Sequence, residues 1–140
     1  MENIEDKKSG FRVLNIMLAE SHFTRIGNVD FQDSKRNVSF ETGVGGRDNK
    51  INVRLKTTVV SMKDGSEQYR IEVSMIGVFE RNGNSQILTD EEFGRVNGAA
   101  IIFPFVREHI ANIALKAGLG SIILPPVNFT KVNKNQANNK

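Results

Sequence analysis

Two hydrophobic periods divide the chain. From Phe11 to Phe79 the apolar positions recur mostly every second residue; from about Ala99 to Ala117 they recur every third or fourth. The first spacing belongs to half-buried strands and the second to a helix. Four strands are predicted, near residues 11–23, 36–44, 51–62 and 68–79. The third alternates most cleanly, with Ile51, Val53, Leu55 and Val59 on one side and Asn52, Arg54, Lys56 and Thr58 on the other. The first has a fault: Phe11 and Val13 share one parity, and Leu14, Ile16 and Leu18 share the other. A bulge near Val13 or Leu14 reconciles the two.

Turn signals separate these runs. Asp64-Gly65 and Asn82-Gly83 favour the positive φ of tight hairpins, and the glycine-rich stretch 43–49 is also read as a turn. The short links predict antiparallel neighbours from the second strand onward. Residues 24–33 form a connection carrying Ile26, Val29 and Phe31. Thr89 followed by Glu92 is a capping box that opens a short helix, expected to break near Asn97-Gly98. The main helix then runs to Ala117 and stops at Gly118. Pro104 either kinks it or marks its first turn. The resulting fold class is α+β, a four-stranded antiparallel sheet with a long C-terminal helix packed on it. Residues 1–10 are a disordered lead-in, 11–129 the domain, and 130–140 a polar disordered tail.

The main helix is apolar over more than one face. On a wheel at about 100° per residue, Ala99, Ile102, Phe103, Val106, Ile110, Ile113 and Ala117 form one stripe. A second arc holds Ala100, Ala111, Ala114 and Leu115. One sheet needs only the first stripe. The second arc is therefore expected to meet another subunit, where alanines let a helix approach closely.

Composition narrows the function classes. Charge and apolar fractions are ordinary, and no cysteine is available for disulfides, thiolate metal sites or thiol nucleophiles. The net charge of +3 comes from Lys131, Lys134 and Lys140, since the other sixteen basic residues balance sixteen acidic ones. Three tail lysines are a weak nucleic-acid signal, so no nucleic-acid partner is expected. No signal-like N-terminus and no membrane-length apolar run is read, so a cytoplasmic protein without membrane insertion is expected. His22 and His109 show no triad or metal-ligand spacing, and the glycine-rich stretch leads into a strand rather than a helix. No catalytic residue, metal or cofactor is expected, and the chain is not read as an enzyme. What remains is a surplus of apolar side chains, some of which could line a groove for an extended peptide.

The C-terminal half carries two motifs in order. Residues 101–108 read IIFPFVRE and residues 124–129 read LPPVNF. They resemble the SecB family of export chaperones, where an LFPYARE-like run is followed some fifteen residues later by LAPVNF. Glu72, Val73, Gly77 and Phe79 resemble that family's fourth strand, and Ile16 to Phe23 its first. The resemblance implies a SecB-like fold and dimers that pair through their helices into a homo-tetramer. It also implies an ATP-independent holdase for unfolded polypeptide clients. By motif position Phe23, Phe103, Phe105 and Phe129 would line the client groove, and Ile26 and Phe31 on the connection join them. Ala100, Ala111, Ala114 and Leu115 form the expected oligomer interface.

Glu20 and Glu72 match acidic positions at which the family docks the SecA motor. Thr24 stands where a further acid is expected, and Arg70 replaces an apolar residue. These departures argue against SecA docking. They suit SecB-like chaperones that accompany toxin–antitoxin pairs, with an antitoxin as client. Export and antitoxin protection both remain open, as does an adaptor with one fixed protein partner.

Overall fold

A computed structural model describes residues 10–81 and 89–132. The predicted turn at Asn82-Gly83, the lead-in before Gly10 and the tail beyond Val132 lie outside the described residues. Four strands, β1 (Phe11–Arg25), β2 (Lys35–Arg47), β3 (Lys50–Lys63) and β4 (Ser66–Arg81), form one antiparallel sheet in the order β1-β4-β3-β2. Both edges of the sheet, β1 and β2, are thus joined by the 26–34 connection. It crosses the sheet end with Ile26 and Gly27 amides donating to the Gln68 carbonyl, and the Asp30 amide to the Gln68 side chain.

The parity fault in β1 is a bulge at Leu14: Val13 pairs with Phe79 and Asn15 with Val78. A second shift, between Leu18 and Glu20, was not visible in the pattern. It falls on Ala19, a residue small enough to suit either face, so the slip leaves no mark in the hydrophobic alternation. The Asp64-Gly65 hairpin is present with both residues at positive φ. The predicted turn at 43–49 is corrected: β2 continues through the glycines to Arg47 and turns only at Asp48-Asn49.

The helix expected to break at Asn97-Gly98 does not break. Thr89 caps it, accepting from the Glu92 amide at 3.1 Å and donating to the Glu92 carboxylate at 3.1 Å. The chain then widens into a π-helical stretch, Phe93–Gly98, and continues as α-helix over Ala99–Lys116. We treat Asp90–Lys116 as one element, α1. Gly98, which suggested the break, is a contact point, and so is Gly94. A Cβ on Gly94 would lie 2.6 Å from Val44 Cγ2, and one on Gly98 would lie 3.0 Å from Val53 Cγ2. Only glycine lets α1 sit this close to β2 and β3. Gly94→Ala is accordingly expected to lose about 1–3 kcal/mol through overpacking, read as a lower urea midpoint at an unchanged m-value.

The core lies between one sheet face and α1. Ile51, Val53, Leu55 and Val59 of β3 and Ile71, Val73 and Phe79 of β4 meet Ala99, Ile102, Val106 and Ile110 of α1. By length and composition α1 is apolar enough to cross a membrane, contrary to the expectation from sequence. Its buried stripe is instead packed on the sheet. The helix ends in a Schellman arrangement: the Leu119 amide donates to the Ala114 carbonyl at 2.9 Å, the Gly118 amide donates to the Leu115 carbonyl at 3.2 Å, and Gly118 has φ +75. Beyond it Leu119, Ile122, Leu124 and Phe129 are buried along the β2 side of α1.

Candidate functional site

The site is built from apolar groups that this fold leaves in water. Strands at the edges of a sheet pair on one side only, and α1 covers only part of one face. Exposed apolar side chains result. One group is Val13, Leu14, Met17 and Leu18 on β1, with Ile101 and Phe105 on α1. The rest are spread over the connection (Ile26, Phe31), β2 (Val38), the end of α1 (Leu115) and the C-terminal segment (Ile123). Ile26 is 54%, Phe31 62% and Ile123 74% exposed, far more than single core-directed residues leave open.

The first group lies on the β1 side. Ser21 of β1 and His109 of α1 are joined by a 2.8 Å hydrogen bond. Phe105 is one turn before His109 and Ile101 one turn before Phe105, so this row flanks β1. Phe105, expected in the groove with Phe103, therefore lies on the β1 side of the helix, while Phe103 lies on the β2 side. The Ser–His contact is not a catalytic pair, since no carboxylate among the described residues bonds the ring's other nitrogen. Among the described residues no group of histidines and carboxylates could hold a metal.

An aromatic cluster lies on the β2 side. Phe40 of β2, Phe103 of α1 and Phe129 of the C-terminal segment form a triad with centroids 5.6 to 5.8 Å apart, all near edge-on. Phe103 and Phe129 are 4% and 2% exposed. They are core, not open groove, because each packs edge-on against the other and against Phe40. Phe23 is half-buried beside Tyr69 and partly faces the core. Of the expected groove residues the structure brings Ile26 and Phe31 together on one connection. Arg107 lies over the Phe103 ring, its guanidinium 5.7 Å from the centroid.

Of the expected interface residues, Ala100 and Leu115 are exposed and Ala111 is half-buried. Ala114 has no exposed surface, because it falls on the buried stripe where the helix ends against the chain's own core. It has nothing to offer a second subunit. Val13, Leu14, Met17 and Leu18 were missed as surface. The parity fault hides which of them are covered, and the sheet order puts β1 at an edge, where all four are exposed.

The other sheet face carries the charges. Glu20 pairs with Arg54 and lies 3.4 Å from His22, while Glu72 pairs with Lys56 at 3.4 Å. Arg12 pairs with Glu80, and Arg70 with Glu67. The hydrogen bond from Arg70 holds the Glu67 carboxyl below the usual carboxylate range. Each carboxylate on this face named here has its cation, which makes a locally neutral lattice around Glu20 and Glu72.

A family model for the preprotein translocase subunit SecB matches residues 27–140. The chain belongs to the SecB family. Two SecB protein-export proteins are among its relatives. That of Thioalkalivibrio sulfidiphilus is 35% identical over 80 residues, covering 55% of this chain and 45% of that protein. That of Halorhodospira halophila is 29% identical over 138 residues, covering 93% and 78%. The chain thus spans under half of the first relative's length. In fold it is similar to the Mycobacterium tuberculosis Rv1957 SecB-like chaperone, solved in complex with a ChAD peptide from the Rv1956 HigA1 antitoxin. The TM-score is 0.72 at 14% identity, covering 84% of this chain and 90% of that one. The SecB sheet and long helix expected from IIFPFVRE and LPPVNF are present.

Proposed function

We propose that this SecB-family chain is an ATP-independent holdase, a non-enzymatic chaperone that keeps extended apolar stretches of unfolded polypeptides soluble in the cytoplasm. The observation that carries the reading is the number of large apolar side chains left exposed on one small domain. Those on the connection suit clients, and those on the β1 side suit a second subunit. Grooves of exposed aromatic and aliphatic groups bind extended segments by burial, at about 25 cal/mol per Å² and with little demand on sequence. Neither use needs a cofactor.

The partnership with α1 extends to a homo-oligomer, taken here as a tetramer. Ala100, Ala111 and Leu115 face outward on the helix, and Ile101 and Phe105 adjoin the β1 edge. An antitoxin is the favoured client. The neutral lattice around Glu20 and Glu72 supports this over SecA-coupled export, because a basic docking tail would have to displace Arg54 and Lys56 from both carboxylates.

The test is light scattering of several unrelated unfolded clients with and without the full chain. Stoichiometric protection without ATP is expected. An Ile26→Ser, Phe31→Ser double variant should keep its fold by circular dichroism and lose most of that protection. Protection of one partner alone would point to an adaptor, and nanomolar SecA binding would restore the export reading.

A further inference from the structure

β4 carries a bulge near its start, and the extra residue is buried. Ser61 of β3 pairs with Tyr69 and Met62 with Glu67, which leaves Gln68 between them. On the other side the pairing of β1 ends at Arg25 and Tyr69. Gln68 thus has no register partner in either neighbouring strand. It is nevertheless only 6% exposed, and Ser61 beside it 2%. A buried glutamine is uncommon, and both ends of its amide need partners. Here Nε2 donates to the Ser61 hydroxyl at 3.1 Å, and Oε1 accepts from the Asp30 amide. The main-chain carbonyl of the same residue accepts from the Ile26 amide at 2.9 Å and the Gly27 amide at 3.4 Å. One residue therefore holds three amides of the 26–34 connection.

Those amides bracket the exposed apolar side chains. Ile26 is itself held, and Phe31 follows Asp30 directly. Lys63 pairs with Asp30 and, with the Gln32 amide, keeps its carboxyl below the usual carboxylate range. The Ser34 hydroxyl donates to the Phe31 carbonyl at 3.3 Å, and Val29 packs against the core. A loose segment with two large apolar side chains in water would gain by folding them onto the nearest apolar surface. We propose that Gln68 is a positioning residue for client binding, holding the connection so that Ile26 and Phe31 stand open before a client arrives. This rests on the reading above that clients bind on the connection, and adds how that surface is kept preformed. A preformed surface spares the complex the cost of ordering it. The bulge makes the geometry available, because a slip in one strand re-aims a side chain that the regular pleat would direct elsewhere.

The test is the affinity of the full chain for a labelled, uncharged apolar peptide, with amide hydrogen exchange on the same samples. Gln68→Met nearly keeps the size of the side chain and removes the amide. It should weaken peptide binding about 2- to 13-fold, one net hydrogen bond passed on to the binding step. Exchange should quicken at the amides of residues 26–30 and stay unchanged at Val53 and Leu55 of β3. Gln68→Glu, which keeps an acceptor for the Asp30 amide, should recover part of the affinity. In an Ile26→Ser, Phe31→Ser background, Gln68→Met should cost nothing further, because no anchor is left to position. If Gln68→Met does not fold, Ser61→Ala, which frees the amide at its other end, gives the same readouts. An equal loss of affinity in both backgrounds overturns the positioning role. So does parental affinity despite faster exchange, and the client surface then stands without it. Unchanged exchange at 26–30 shows that Gln68 does not hold the connection and overturns the proposal at its root. Failure of the parent chain to bind the peptide overturns the client reading, and the proposal with it.

Discussion

Replacing Phe103 with alanine is expected to lower the free energy of unfolding by about 3–5 kcal/mol. The ring sits in the middle of the Phe40–Phe103–Phe129 triad, nearly closed to water, and nothing adjacent is free to fill its volume. The loss has two parts, the transfer energy of a large aromatic group and the cavity left beneath the C-terminal segment. Arg107 would also lose the ring it covers. A chemical denaturation curve measures the effect, which should be a large share of the roughly 5–15 kcal/mol stability of a domain. Ile26→Ala and Phe31→Ala, both exposed, should each stay within about 0.5 kcal/mol of the parent. If Phe103→Ala were as mild as those two, the triad would not be core, and its rings would belong to an open groove after all.

That contrast marks how far the sequence could be read. Strand positions, the Leu14 bulge, the Asp64-Gly65 hairpin and the Gly118 stop are local, and each leaves a local signature in alternation or turn chemistry. The pairing order β1-β4-β3-β2 is not local. It decides that Val13 and Leu18 are surface while Val53 and Leu55, with the same pattern, are fully buried. Asn97-Gly98 looked like a helix break because glycine lowers helix propensity. The close approach to Val44 and Val53, which requires glycine, is a tertiary fact. Motif position alone put Phe103, Phe105 and Phe129 together. The helix period separates Phe105 from Phe103 by about 200°, so one row faces β1 and water and the other faces β2 and the core.

Phe105→Asp combined with Leu18→Asp is expected to reduce the particle to a single chain of 15.6 kDa in sedimentation at micromolar concentration. Both side chains are exposed in the isolated chain, so the substitutions should leave its fold intact. In an assembly built on the β1 edge and the outward rows of α1 they would instead place two unpaired carboxylates against apolar groups from another copy. Hot-spot positions of this kind each cost about 2 kcal/mol or more when truncated, and a buried charge adds to that. Symmetry multiplies the penalty, because a two-fold interface meets every substitution twice. The effect should depend on pH: protonating the aspartates below about pH 4 removes their charge and should allow partial reassembly. Client binding provides the internal control. If the client surface on the connection works within each chain, the dissociated variant still binds an isolated apolar peptide near parental affinity but protects long clients poorly, having lost the multiple surfaces that one polypeptide can span at once. Retention of the parental mass would remove the β1-side patch from the interface and leave Phe105 and Leu18 as surface open to clients.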